Sequence, residues 1–338
     1  MNVQQSISLQ AYNTLAVPAV ARYFVEVHSD AQLREAITFS EDKALARLIL
    51  GGGSNIVLSS DFDGLVIHLC MQGIESLEVS PGLVQVSVAA GENWDELVRH
   101  SLAQGWYGLE NLSAIPGNVG AAPIQNIGAY GVEVSSVLDS VLGLDTDAME
   151  YRKLTRTDCE LAYRDSIFKR AWRDRFVITR VNLQLSREPA PVLSYPALVE
   201  AIGDREPTPE QVAETVRRVR GQKLPSPSVM PNAGSFFKNP LVSEQAYRAL
   251  KAAHPDIPAW SMAAGYKLAA GWLLEQAGWR GFSGEGELAG VGTYHNQSLV
   301  LINPGSRQGS SILQLADQIK ASVFARFGVS LEIEPRVY

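Results

Sequence analysis

The stretch Leu48–Leu58, LILGGGSNIVL, sets three glycines directly after an apolar strand and then runs on as another extended apolar stretch. Glycine has no Cβ, so backbone N–H groups at Gly51, Gly52 and Gly53 can come close to a pyrophosphate. The same residues also make an ordinary tight turn, and the stretch alone does not choose between the two. It does exclude two nucleotide-binding designs. No Gly-Lys-Ser/Thr follows, so this is not a Walker loop. Ile56-Val57-Leu58 stays extended instead of opening a helix, so it is not the G-x-G-x-x-G turn of a doubly wound dinucleotide fold.

Upstream, the pattern reads β-α-β: an extended run at Arg22–His28, helical spacing over Ala31–Ile37, and the apolar strand Arg47–Leu50. Downstream come a strand at Gly64–Leu69 and an alternating Ser76–Ala90, a hairpin closed near Pro81-Gly82. Asn93 is suited to cap a helix running to about Gln104, with Glu96 in capping-box position. Further strands are expected at Val137–Leu144 and Phe176–Leu185. A helix is expected from Pro209, capped by Thr208 and stopping at Gly221. Three prolines in LPSPSVMPNAG (224–234) mark a boundary. Beyond it, helices near Glu244–Ala253, Leu268–Gln276 and Ser311–Phe327 accompany strands near Leu299–Ile302 and Ser330–Ile333. Strands and helices alternate without a regular βαβ rhythm, so the class is α+β.

A second loop, SAIPGNVGAAPIQNIGAYG (Ser113–Gly131), packs glycines among small residues with no charge. So long an uncharged loop is unusual unless functional, although a buried Ω-loop has the same composition. Its backbone donors, with the amides of Gln125 and Asn126, suit a large cofactor with a pyrophosphate tail. Two such loops, each beside strands, favour one shared dinucleotide.

Composition narrows the partners. The 338 residues carry a net charge of −7, which argues against nucleic-acid binding. A local group of cations can still bind a small anion. Two cysteines make no disulfide framework, and the five histidines show no H-x₃-H spacing, so no metal is implied. No apolar run approaches the roughly 20 residues of a membrane span, and MNVQQSISLQ lacks a signal-peptide pattern. The expectation is a cytoplasmic, monomeric protein with no membrane partner.

GGGSN (51–55), ENLSAIPGNVGAAPIQNIGAYG (110–131), YRDSIFK (163–169) and NAGSFFKNP (232–240), in this order, closely resemble the UDP-N-acetylenolpyruvoylglucosamine reductase family over nearly the whole chain. The resemblance implies a vanillyl-alcohol-oxidase/PCMH-type FAD-binding fold of two subdomains (1–70 and 71–222) and a C-terminal α+β substrate domain (223–338). It implies non-covalent FAD at Gly51, Gly52, Gly53, Ser54 and Asn55. In the second loop the matching positions are Ser113, Ile115, Pro116, Gly117, Gly120, Ala121, Gln125, Asn126, Gly128, Ala129 and Tyr130. The implied reaction passes hydride from NADPH through FAD to C3 of an enolpyruvyl ether on UDP-N-acetylglucosamine, in peptidoglycan precursor synthesis.

By the same resemblance, Ser235 matches the proton donor to C2, Arg164 the arginine facing the substrate carboxylate, and Glu334 a second enolate-stabilising group, held as the acid. Taken singly, Ser235 reads as a turn serine and Arg164 as the partner of Asp165 in a surface ion pair. Glu332 competes with Glu334, since Pro335-Arg336 stands where the family pattern has Val-Arg. Lys223, Asn239, Lys267 and Gln297 match positions at or near the diphosphate and sugar. Arg220 assists, and Tyr195 matches a tyrosine folding over the nucleotide. Two rivals share parts of this pattern: another flavin oxidase of the same fold, and a non-catalytic nucleotide-sugar-binding protein.

Overall fold

A computed structural model describes residues 1–204 and 206–338, which form two compact units. The first comprises Met1–Ile7, Ala21–Gly52 and Asp63–Gly221; the second comprises Ser8–Val20, Gly53–Phe62 and Gln222–Tyr338. The chain thus leaves the first unit and returns to it twice. This partition differs from a three-segment reading: residues 1–70 are not one body, and two N-terminal stretches belong with the C-terminal third.

The first unit is built on two sheets. One has the order Gln4–Ser8, Val20–Val27, Phe62–Leu69, Ala46–Leu50, with the last two strands parallel and Leu50 opposite His68. The other is antiparallel, with the order Glu150–Thr155, Leu138–Asp145, Phe176–Ser186, Leu83–Ala89, Ile74–Ser80. The helix Asp30–Asp42 starts where the Ser29 side chain accepts from the Gln32 N–H. Its buried stripe of Leu33, Ala36 and Ile37 lies in one core with Val25, Val27, Leu65 and Ile67 of the first sheet. Ala89, Leu144 and Val177 of the second sheet join that core. The helix Trp94–Ala103 is capped by Asn93, whose Oδ1 accepts from the Glu96 N–H at 3.1 Å. Trp94, Leu97 and Val98 pack with Val84, Val86 and Val88. Each such buried side chain contributes roughly 1.5–3 kcal/mol of transfer free energy.

In the second unit, the strands Asn232–Ser235, Gln297–Ile302 and Gly292–Tyr294 form one sheet, and Leu241–Val242, Gly265–Leu268 and Ala259–Met262 another. The helices Glu244–Ala253, Ala270–Gln276 and Gly309–Phe327 accompany them, the last closed by left-handed Gly328. Arg336–Val337 pairs in parallel with Ile56–Val57.

Two expected boundaries shift. The helix starting at Pro209 does not stop at Gly221 but runs to Lys223. The Asn296 side chain donates to the Gln222 carbonyl and satisfies one acceptor of the last turn. The expected strand Ser330–Ile333 is not formed; only an isolated bridge joins Ile333 to Phe237. Pro335 has no N–H to continue a ladder, and pairing resumes only at Arg336.

Candidate cofactor and substrate site

The two glycine loops touch within the first unit. A Cβ on Gly52 would fall 2.7 Å from Asn118 Oδ1 and 2.9 Å from Gly117 Cα, so only glycine lets the loops meet there. Gly52 is itself exposed. Gly51 also lies against Asn118. Gly53 belongs to the second unit; its φ of 60° and its backbone contact with Tyr12 leave no room for a side chain. The Asn55 carbonyl accepts from Arg336 N–H at 3.0 Å, and Ser54 is half-buried.

The second loop is fastened to the helix Trp94–Ala103 at three points. Trp94 N–H donates to Gly117 O at 3.0 Å, Trp94 Nε1 to Leu112 O at 3.0 Å, and Ala114 N–H to Asp95 Oδ1 at 2.7 Å. Ser113 is buried and its hydroxyl donates to Glu110 O. Gly120 N–H donates to Ala90 O, and Ala121 N–H to Asn118 O. Ile115, Gln125, Gly128, Ala129 and Tyr130 are half-buried, while Pro116 and Ala121 are exposed.

Asn126 departs from its expected role. It is buried, its Nδ2 donates to Glu133 Oε2 and Ala162 O, and its Oδ1 accepts from Ser135 N–H. Both hydrogens of its amide are used in fastening the loop.

Arg164 sits on this loop. Its φ is 53°, and its Nη2 donates to Gly128 O at 3.0 Å. The expected alternative of a surface pair with Asp165 is not what forms: Asp165 takes Arg170 instead. Burial pushes the Arg220 guanidinium down, and the charge on nearby Arg164 adds to that. Asp95 and Tyr130 work against that shift; an arginine stays charged at neutral pH regardless. The Tyr130 ring meets Tyr195 edge-on at 5.1 Å, with Tyr195 at the start of the helix Pro196–Ile202. Two arginines beside an aromatic pair suit an anionic ligand carrying a flat ring.

Within the second unit, Ser235 and Glu334 lie on neighbouring backbone segments. Ser235 ends a strand paired with Gln297–Ile302, opposite Val300. The next two residues, Phe236 and Phe237, are buried anchors that leave half-buried Ser235 on a fixed backbone. Glu334 N–H donates to Phe236 O at 2.9 Å, which sets Glu334 one residue from Ser235 across the pairing. Glu332 is 72% exposed at its side chain and takes Lys238 Nζ at 2.6 Å. That solvent-facing ion pair makes it the weaker candidate.

Asn239 and Gln297 converge on the start of the helix Ala270–Gln276. Asn239 Oδ1 accepts from Ala270 N–H at 3.0 Å, and Gln297 Oε1 lies against Gly271. Lys267 precedes that helix, its Nζ 5.8 Å from the centre of the Trp260 ring. Lys223 is exposed at the end of its own helix. Sequence reasoning missed Asn118, within the second loop, and Asp95 and Glu133, which shape the loops from outside the glycine motifs. The one signal available was Asp95 following a helix cap.

Comparison with known proteins bears on the family of the chain. The model of an FAD binding domain family matches residues 21–146, and that of the UDP-N-acetylenolpyruvoylglucosamine reductase C-terminal domain matches residues 225–338. The UDP-N-acetylenolpyruvoylglucosamine reductase of Pseudomonas fluorescens (strain Pf0-1) is 43% identical over 342 residues, covering 100% of this chain and 99% of its own. That of Amoebophilus asiaticus is 41% identical over 341 residues, with the same coverage. The crystal structure of UDP-N-acetylenolpyruvylglucosamine reductase (MurB) from Thermus caldophilus, 22% identical, superposes with a TM-score of 0.68 over 100% of this chain and 99% of its own, a shared fold. The chain belongs to the UDP-N-acetylenolpyruvoylglucosamine reductase family.

Proposed function

We infer that this protein is an FAD-dependent oxidoreductase that reduces UDP-N-acetylglucosamine enolpyruvate to UDP-N-acetylmuramate with NADPH, a step of peptidoglycan precursor synthesis. The carrying observation is the hydrogen bond from Glu334 N–H to the carbonyl of Phe236, the residue after Ser235, in a chain of this family. The close approach of Gly52 to Gly117 fits a pyrophosphate cradle, since a Cβ there would fill the space. We assign FAD to Gly51–Asn55 and to the backbone of Ser113–Tyr130, with Asn126 as a fastener rather than a ligand. FAD held there would supply the hydride relay between NADPH and C3 of the enolpyruvyl group.

The chain's own residues then handle charge and proton. As hydride reaches C3, charge builds at C2 and spreads into the carboxylate, and a fixed cation there stabilises the enolate most where water is excluded. Arg164 supplies that cation, held by the Gly128 carbonyl. Glu334, as the acid, donates a hydrogen bond to the growing charge. Ser235 Oγ gives the proton to C2; a hydroxyl suffices because the carbanion is strongly basic. Arg220, Lys223, Asn239, Lys267 and Gln297 hold the diphosphate and sugar, and Tyr195 covers the nucleotide.

Among the described residues no helix is long and apolar enough to cross a membrane, and we place the enzyme in the cytoplasm as a monomer. An anaerobic absorption spectrum tests the proposal. A flavin band that bleaches with NADPH and returns on adding the UDP-sugar enol ether supports it. Bleaching without return discards the substrate, and a protein that takes up no FAD discards the whole reading.

A further inference from the structure

Away from both glycine loops, Glu26, His68 and Cys70 are brought together on neighbouring strands of the first unit's four-stranded sheet. Glu26 lies on Val20–Val27 and His68 on the adjacent Phe62–Leu69, while Cys70 N–H donates to Val27 O at 2.8 Å just past the strand end. Among the described residues this is the one set of three metal-capable side chains whose ligand atoms all lie within 4.8 Å of one another. Cys70 Sγ stands 3.2 Å from His68 Nδ1, and that nitrogen stands 3.7 Å from Glu26 Oε1.

These spacings can be compared with a tetrahedral ion. Bonds of about 2.3 Å to sulfur and about 2.0–2.2 Å to nitrogen and oxygen put neighbouring S and N ligands about 3.5 Å apart, and N and O about 3.4 Å. The observed pairs fall within a few tenths of an ångström of both. We propose that Glu26, His68 and Cys70 form a binding site for a zinc-like divalent ion, with the fourth position open to water. The donor set decides the metal class: thiolate and imidazole suit zinc and its softer neighbours, whereas calcium and magnesium require a shell of oxygens. His28 flanks the site, its Nε2 4.0 Å from the other Glu26 oxygen. A bare reactive thiol is the rival reading. A free thiol would leave the neighbouring Glu26 carboxylate and His68 imidazole without a use for their shared approach to the sulfur, which the ion supplies.

The site is invisible to motif spacing because its carboxylate comes from a different strand. Only the sheet order brings Glu26 beside His68. An ion there would tie the end of one strand to its neighbour, outside the residues assigned to the reaction.

The test uses the full-length, flavin-loaded protein dialysed against buffered zinc, with metal analysis and X-ray absorption at the zinc edge. One zinc per chain with a single sulfur at about 2.3 Å is expected. Cys70→Ser removes the sulfur shell and weakens binding more than about tenfold, and Glu26→Gln weakens it while keeping the side-chain shape. Cys159→Ala leaves the signal unchanged, because Cys159 is buried elsewhere. Zinc held equally by wild type, Cys70→Ser and Glu26→Gln overturns the site, as does a first shell without sulfur. Circular dichroism of each variant separates lost ligation from lost folding.

Discussion

Glu332 and Glu334 stand two residues apart, yet the fold gives them different work. Glu332 spends its carboxylate on Lys238 at the surface, and such exposed pairs are worth about 0–1 kcal/mol. Glu334 is pinned beside Ser235 by its backbone. Steady-state kinetics of Glu332→Gln should therefore stay close to wild type, while Glu334→Gln loses about 10²–10³ in kcat, the cost of removing one transition-state donor. The reverse ranking would move the role to Glu332. For Ser235→Ala, stopped-flow absorbance should show NADPH bleaching the flavin at a nearly normal rate. Substrate-driven return of the band should slow by about 10²–10⁴. Equal slowing of both phases would remove Ser235 as the proton donor. At this scale the reactive residues were legible as motifs, but their neighbours were not. YRDSIFK contains Arg164, but nothing in it says that Asp165 pairs with Arg170 or that Arg164 holds the Gly128 carbonyl. NIG likewise shows Asn126 as one more amide, and only the folded loop reveals that its amide is consumed internally.

The helix Trp94–Ala103 organises the second glycine loop, and Asp95 is its point of attachment. Burial works against the Asp95 carboxylate, but the Ala114 N–H, Arg217 and Arg99 outweigh it and hold the group below the usual carboxylate range. Its oxygens take Ala114 N–H at 2.7 Å and Arg217 Nη2 at 3.0 Å, so one side chain joins two helices and the loop. Because the folded value is depressed, this stabilisation is complete above the unfolded value of about 3.9 and fades as pH falls through the folded one. Asp145, gripped by Arg175 through two hydrogen bonds of 2.8 Å, acts with the same sign. Asp95→Asn should cost about 1–3 kcal/mol at neutral pH, the scale of charged hydrogen bonds, with the exposed Arg99 contact adding little. The difference from wild type should begin to shrink in thermal melts below about pH 4, as Asp95 of the unfolded chain protonates, and should be lost as pH falls through the depressed folded value. FAD should also bind more weakly by titration, since Ala114 adjoins assigned cofactor positions; unchanged FAD affinity would limit Asp95 to stability. Most elements could be read from the sequence because caps and hydrophobic period agree, as at Asn93 and along Leu33–Ile37. The strand Glu150–Thr155 could not, since its pattern is largely exposed and it sits at a sheet edge.

The whole chain is discontinuous in a way no local signal announces. The last segment of the first unit ends at Gly221, shortly before the proline-rich run at 224–234, but the second unit also recruits Ser8–Val20 and Gly53–Phe62. Those recruits are structural. Asn303 is buried and donates to Leu15 O at 2.8 Å, while Asn232 N–H donates to Thr14 O at 2.9 Å at the start of the Ser235 strand. Arg336–Val337 finds its only ladder partner among the described residues in Ile56–Val57, and Ser59 N–H donates to the Tyr338 carbonyl at 2.8 Å. Gly309, at the first turn of the long C-terminal helix, presses on the Leu58 backbone. A fragment of residues 222–338 takes away the partners of Asn232 N–H, of the Arg336–Val337 ladder and of the Tyr338 carbonyl, and one of the two bonds that Asn303 Nδ2 donates, and a buried unsatisfied polar group costs about 1–3 kcal/mol. Several together reach the 5–15 kcal/mol that holds a typical domain folded. Expressed alone, residues 222–338 should give a poorly dispersed amide NMR spectrum and no cooperative melt, even though the family match begins at residue 225. Adding a synthetic Gly53–Phe62 peptide should shift the fragment's spectrum, because it restores the partner of the C-terminal strand. A well-dispersed spectrum from the fragment alone would mean that the proline-rich boundary is sufficient, and that Asn303, Asn232 and the Ile56–Val57 pairing hold the fold together less than their geometry implies.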